Sequence, residues 1–372
     1  MRVTNLTLTF VNWTPQDIRK RHQLQPEYGK HEIAVVTIST DEGIEGHSFL
    51  GKIGQWPDFM APALMSDLKP VLMGQNPLDI GRLWEGMWRR RHNVDPKALA
   101  ALDVALWDLA GKIMKQPVHR LLGNCREKVP AYAVSSHLST IQEYAEEAQK
   151  IKSLGWTAYK IHGYEKDDKI EDRRDIEICK AVRKAVGDEF TLMLDSKAYS
   201  YGAAVRVGHI IEDLGFFWYE DPLADDDVYG YAKLRHKLEI PILATESAPG
   251  GLYGLPQFIL QEATDMLRGD VPSKGGITGT MKTAHLAEAF RMNCEIHHGG
   301  NSLMNAAVLN VIMAINNCDY FEVKLPEVTH KYGLVRDIEV DKDGFIHAPK
   351  APGLGFEIDW ELIKRNTTHI LK

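Results

Sequence analysis

Apolar and polar positions change rhythm twice along this chain. Residues 3–10 alternate, and a β-branched run, HEIAVVTIST, follows at 31–40. A DEG turn at 41–43 leads into a further strand ending near Phe49, so the first segment predicts a small antiparallel meander. A polar stretch at 11–31, with two prolines and a glycine, interrupts it, and residues 50–56 form a second loop. From Pro57 to about Leu122 apolar residues recur every three or four positions, the helical period. Asp95-Pro96 opens the third of these helices as an N-cap and first-turn pair. Asp103 and Asp108 interrupt its apolar face and are read as solvated or backbone-bonded, not catalytic. After Val129 the rhythm changes to strand–helix repeats: VPAYAVS, AYKIHG, TLMLDS, FFWYEDP, PILATES, DMLRGDVP, CEIHHGG and YFEVKLP. Helices are expected between them, clearest at 165–187 and 279–291. Eight such strands predict an α/β fold of the (β/α)8-barrel type, whose active site lies at the strands' C-terminal ends. The expected boundaries are 1–125 for the first domain, 126–337 for the barrel, and 338–372 for a segment returning to the first domain.

Composition removes some possibilities. The 372 residues carry a net charge of −7, which gives no basic footprint for nucleic acid. The four cysteines are scattered without CxxC spacing, fitting a reducing compartment and arguing against a disulfide framework. MRVTNLTLTF reads as a strand, not a signal peptide, and no run is long and apolar enough to span a membrane. The expectation is a cytoplasmic protein acting on a small molecule.

The strand ends carry the chemistry. FFWYEDP runs from a buried strand into Glu220 and Asp221, and a carboxylate there is costly unless it is paired or binds a cation. TLMLDS ends with Asp195 and PILATES with Glu246. From Asp195 through Glu220, Glu246, Asp270, His297 and Glu322 the intervals are 25, 26, 24, 27 and 25 residues, in step with the repeat. Three carboxylates without a cysteine suit a hard cation, Mg²⁺ first and Mn²⁺ second. Asp221, by alternation, points away from Glu220. Lys160 and His162 share one face of the second barrel strand. Of the adjacent His297 and His298, only one can face the ion, and position favours His297. Such a mouth suits removal of the proton beside a substrate carboxylate, with the ion offsetting the charge that develops.

Three motifs carry a resemblance. ALDVALWDLAGKIMKQPVHRLLG, DVPSKGGITG and PGLGFEID are similar to segments of the mandelate racemase subgroup of the enolase superfamily, and the likeness runs the length of the chain. It implies a modified (β/α)7β TIM barrel beneath an α+β capping domain formed by the N-terminus and the C-terminal tail. It also implies Asp195, Glu220 and Glu246 as Mg²⁺ ligands, and a dyad in which Asp270 orients and charges His297 as acid or base. Glu322 would be a neutral acid hydrogen-bonded to the substrate carboxylate. Symmetric homo-oligomers are the family's habit.

Two positions depart from the family. Lys160-Ile161-His162 stands where Lys-x-Lys is common, so either His162 or Lys160 is the second acid/base. Lys197 stands where relatives often carry Asn, and either reaches a second anionic group on the substrate or points to solvent. The loop residues Trp13, Arg19, Lys20, Arg21, His22, Tyr28, Lys52 and Gln55 make a polar, basic lid. Together with His298, Trp13, His22, Lys52 and Lys197 are the candidate substrate contacts. This lid and the resemblance lead to dehydration of an acid sugar to a 2-keto-3-deoxy acid. Racemisation or epimerisation of a 2-hydroxy acid and cycloisomerisation of a sugar-acid lactone or anhydro-sugar acid are alternatives, and a non-catalytic acid-sugar-binding barrel is a distant one.

Overall fold

In the computed structural model the described residues are 1–13, 32–52, 57–163, 165–166, 169–196 and 198–372. The N-terminal meander forms as expected: β1 (Val3–Asn12), β2 (Glu32–Thr40) and β3 (Glu45–Leu50) pair antiparallel. Alternation sends Leu6, Leu8 and Phe10 inward, all fully buried. Trp13 continues that inner row beyond Val11. It is 2% exposed and packs on Tyr332, so it belongs to the core and not to the lid.

The helical stretch resolves into a broken helix from Pro57 to Leu72, then Ile80–Trp88 and Pro96–Met114. Asp95 caps the last of these, its side chain accepting from Lys97 N. This helix is almost entirely buried because it lies between β3 and the barrel helix Gly276–Ala289. Asp103 and Asp108 are its bolts. Asp103 accepts from Thr278 N at 2.9 Å and Thr278 Oγ1 at 2.6 Å. Asp108 accepts from His47 N at 2.8 Å and Leu354 N at 2.9 Å. Of the two expected roles, backbone bonding holds and solvation does not. Gly276 has to be glycine here: its φ is +93°, and a Cβ would lie 2.3 Å from Asp103 Oδ2.

The barrel strands are β4 (Lys128–Val134), β5 (Ala158–His162), β8 (Thr191–Asp195), β9 (Tyr219–Glu220), β10 (Ile242–Ala244), β11 (Met266–Asp270), β12 (Cys294–His297) and β13 (Phe321–Lys324). They pair in the parallel order β12-β11-β10-β9-β8-β5-β4-β13, a nearly closed barrel. A helix follows each of the first seven, and β13 is followed by a short 3₁₀ turn, which is the (β/α)7β arrangement. The helix expected at 165–187 is shorter. Residues 165–170 supply a two-stranded hairpin, β6 (Glu165–Lys166) with β7 (Lys169–Ile170), and the helix is Asp172–Val186. The buried helical row Ile178, Val182, Val186 begins too late to anchor the earlier residues. β14 (Phe345–His347) pairs antiparallel with β4, and β15 (Thr367–Leu371) pairs antiparallel with β1.

An apolar layer of Tyr132, Val134, Ala158, Met193, Trp218, Leu243 and Met266 fills the barrel. Two residues further along the strands, on the same faces, come Lys160, Asp195, Glu220 and Arg268. The apolar plug therefore forms the floor of a charged mouth.

Candidate active site

Lys160 is fully buried at the centre of this layer. Its Nζ lies 2.7 Å from Glu220 Oε2, 3.1 Å from Asp195 Oδ2 and 3.4 Å from Glu322 Oε1. Burial alone would lower its pKa, but Asp195, Glu220 and Glu322 outweigh it and hold the ammonium well above the ordinary lysine range. Arg268, also fully buried, places Nε 2.8 Å from Glu220 Oε1 and pairs with Glu322 Oε2. Its Nη2 also meets Tyr132 OH at 3.2 Å. Nothing in the sequence reading singles out Arg268. The signal was available, since it stands two residues before Asp270 on the same strand face.

The paired cations change the expectation for Glu322. Burial pushes its carboxyl up, but Lys160, then Arg268 and His297, pull it well below the usual range. Glu322 is thus ionised in these surroundings, where the resemblance implied a neutral acid.

On the far side, His297 Nδ1 lies 2.7 Å from Asp270 Oδ2, and its Nε2 is 3.5 Å from Glu246 Oε2. Ionised Asp270 can only accept, so Nδ1 carries the proton and Nε2 faces the mouth. Burial opposes protonation of the ring, yet Glu246, Glu322 and Asp270 raise its pKa overall. For Asp270 burial is outweighed by the hydrogen bond from His297, which holds its pKa down at about 2. Asp270 also accepts from Ser273 N.

The loop bearing Glu246 is held from beneath. Lys274 Nζ donates to Glu246 O at 2.7 Å and Thr245 O at 3.3 Å. Asp221 Oδ2 accepts from Glu246 N at 3.1 Å, so Asp221 does turn away from its neighbour Glu220 and supports the next strand's carboxylate.

His162 ends β5 in direct register with Asp195, its ring tilted by 46° against that of His137 at 4.3 Å between centroids. His298 turns away from the mouth. Its Nδ1 accepts from Gly300 N at 3.0 Å and its Nε2 faces Asn305 Nδ2 at 3.0 Å. It is 4% exposed, and burial drives its pKa well below the ordinary value. As a substrate contact it is therefore a correction: alternation gives the mouth to His297 and the loop to His298. Its main-chain N–H still reaches Glu322 Oε2 at 3.2 Å. Lys52 reaches over the barrel from the loop after β3. His22 and Lys197, with Arg19, Lys20, Arg21, Tyr28 and Gln55, lie outside the described residues.

The donors fit a hard cation. Asp195 and Glu220 stand opposite each other in the β8–β9 register, and Glu246 follows at the end of the next strand. All offer oxygen, and each carboxylate oxygen keeps a lone pair beyond one ammonium contact. Among the described residues one trio, Glu246, Asp270 and His297, brings a ligand atom of each within 4.8 Å of the others. Glu246 therefore stands between the expected ligand set and the histidine pair.

Comparison with known proteins agrees with this layout. A family model for enolase C-terminal domain-like proteins matches residues 143–362, and one for the mandelate racemase / muconate lactonizing enzyme N-terminal domain matches 15–123. The fold is similar to a D-glucarate dehydratase from Agrobacterium tumefaciens crystallised with magnesium, with a TM-score of 0.88 and 32% identity over 99% of this chain and 100% of that one. An arabinonate dehydratase of Saccharolobus solfataricus is 28% identical over 88% of each chain. A 3,6-anhydro-alpha-L-galactonate cycloisomerase of Streptomyces coelicolor is 26% identical, covering 90% of this chain and 91% of its own.

Proposed function

The chain belongs to the enolase superfamily, on its mandelate racemase / muconate lactonizing enzyme branch, and from that premise we propose that it removes water from an acid sugar. The observation that carries this reading is the His297–Asp270 pair at 2.7 Å, aimed past Glu246 into a mouth whose opposite wall holds Lys160 and His162. Two proton-handling groups then flank one reacting carbon and its neighbour. Magnesium held by Asp195, Glu220 and Glu246 would polarise the substrate carboxylate and offset the charge left when the adjacent proton departs.

The protein's own residues do the rest. His162 takes the proton from C2, since Lys160 is held as an ammonium by its three carboxylate neighbours, and the C2–H electron pair becomes the C2–C3 double bond as the C3–O bond breaks. His297, kept protonated by its carboxylate neighbours, gives Nε2–H to the departing hydroxyl, which leaves as water. The enol left behind tautomerises to the 2-keto-3-deoxy acid. Lys160 and Arg268 hold Glu322 and Glu220 in place so that the substrate carboxylate meets a fixed array. The dehydratase names of the Agrobacterium and Saccharolobus relatives support this reaction.

Mass spectrometry of products from an acid-sugar library, run with Mg²⁺ in D₂O, tests it. A product that has lost one water and carries one deuterium at C3, taken up as the enol tautomerises, is expected. Deuterium entry at C2 with no loss of water would replace dehydration with racemisation. An unchanged mass with a new connectivity would point to cycloisomerisation, the activity for which the Streptomyces relative is named.

A further inference from the structure

The mouth contains two ammonium groups that the reaction above does not use. Lys324 ends β13 two residues after Glu322, so it projects from the same face into the barrel, one step nearer the opening. Glu322, Asp195 and Glu246 all act on it electrostatically, and so does a second ammonium, Lys52. Lys52 comes from the N-terminal domain. Asn301 fixes its approach, donating from Nδ2 to Gly51 O at 2.8 Å and to Phe49 O at 3.4 Å while its Oδ1 caps the helix Ser302–Ala314. The Lys52 stem lies across Gly300, where a Cβ would come within 2.7 Å of Lys52 Cδ.

Neither ammonium has a hydrogen-bond or ion-pair partner among the described residues, although both are partly buried. This is unlike Lys160 and Arg268, which are paired with carboxylates inside the barrel, and Lys274, which donates to backbone carbonyls there. Two like charges brought together from two domains repel each other, and desolvation already disfavours the charge on Lys324. An anion between them removes both costs.

We infer that Lys52 and Lys324 form a subsite for a second carboxylate, and that the substrate is a diacid, an aldarate rather than an aldonate. One carboxylate of the substrate meets the ion and Lys160, and the polyol chain spans the mouth. The far carboxylate lies between the ammonium of the N-terminal domain and that of the eighth barrel strand. The inference rests on the acid-sugar reading for its first carboxylate but not on dehydration, since any reaction at C2 leaves the far end in the same place.

The test is a set of sugar acids in matched pairs, identical in configuration and differing only in a terminal carboxylate or hydroxymethyl group. Affinity of the full chain with Mg²⁺ is measured by calorimetry for each pair, and turnover by 2-keto acid formation. Each diacid should bind about tenfold to a hundredfold more tightly than its monoacid partner, the size of one charged hydrogen-bonded contact. Lys324→Met and Lys52→Met should each raise KM for the diacid by about tenfold, more than for the monoacid, and Lys→Arg at either position should restore part of the preference. A monoacid that binds as tightly as its diacid partner overturns the inference, even if both lose water. So does a diacid KM that both substitutions leave unchanged. Preferred binding of diacids without loss of water would leave the subsite standing and remove the dehydration reading.

Discussion

Two groups of carboxylates divide this protein's work. Asp103 and Asp108, on the helix Pro96–Met114, are satisfied largely by backbone N–H groups of segments far along the chain, with Lys112 also beside Asp108 at 2.6 Å. Asp195, Glu220, Glu246, Asp270 and Glu322, at the barrel mouth, face cations and an imidazole instead. Asp103, Asp108, Glu220, Asp270 and Glu322 are buried while Asp195 and Glu246 are partly exposed, and only the mouth group is arranged to hold movable charge. Neutral donors fix a carboxylate in one geometry and serve as bolts. Cations balance its charge and leave lone pairs for an ion, a substrate or a proton. The residue type therefore says little, and the whole set of partners, distant backbone donors or a cluster of cations, separates scaffold from chemistry.

The largest break in this contrast should come from the mouth. His297→Asn should cut turnover by about 10²- to 10⁴-fold while circular dichroism stays unchanged, because an amide cannot shuttle the proton. Residual turnover within tenfold of the parent would remove His297 from the reaction. Chelation with EDTA should abolish activity and added Mg²⁺ restore it; activity insensitive to chelation would contradict the ligand set. Arg268→Met should cost about 3–5 kcal/mol in denaturant unfolding, since Glu220 and Glu322 would be left with only Lys160 to balance them. Under about 1 kcal/mol would mean that Arg268 is not the mouth's counter-charge.

At the bolts the effects should be smaller and of another kind. Asp103→Ala should destabilise by about 1–3 kcal/mol, the cost of unsatisfied donors on Thr278, with kcat changed much less than by His297→Asn. A further effect is on pH dependence. Burial raises the folded-state pKa of Asp103 from the ordinary 3.8 to about 7, against the pull of Thr278. Its favourable contribution is therefore complete below pH 3.8 and is lost as the pH climbs through about 7. Asp103→Asn should flatten stability against pH across that window, measured by denaturant titration, and an unaltered slope would reject the shift.

Much of the site is legible in the chain itself. Because a strand–helix repeat sets the spacing of strand ends, the cadence from Asp195 to Glu322 places the mouth residues without any structure. Glu220 is the instructive case: its strand end is evident, but its two buried partners are not. Arg268 and Lys160 reach it from strands 48 and 60 residues away, and only the barrel's closure brings them to one level. Asp103 is obscure for the same reason, since its partner Thr278 lies 175 residues on. His298 shows the limit of adjacency: one peptide unit from His297, it serves a loop instead of the mouth. Lys324 was within reach of the period-two rule, two residues past an already marked Glu322.

The pairing of β15 with β1 ties positions near 370 to positions near 10. A ribosome releases β1 first, and at roughly 5–20 residues per second β15 follows only after about 20–70 s. Through that interval β1 can pair with β2, but its other edge, with its unpaired N–H and C=O groups, is open to any extended segment. The antiparallel sheet closes only after every barrel strand has been made. Maturation of this enzyme is thus timed by its last strand, and the first one must stay guarded while it waits.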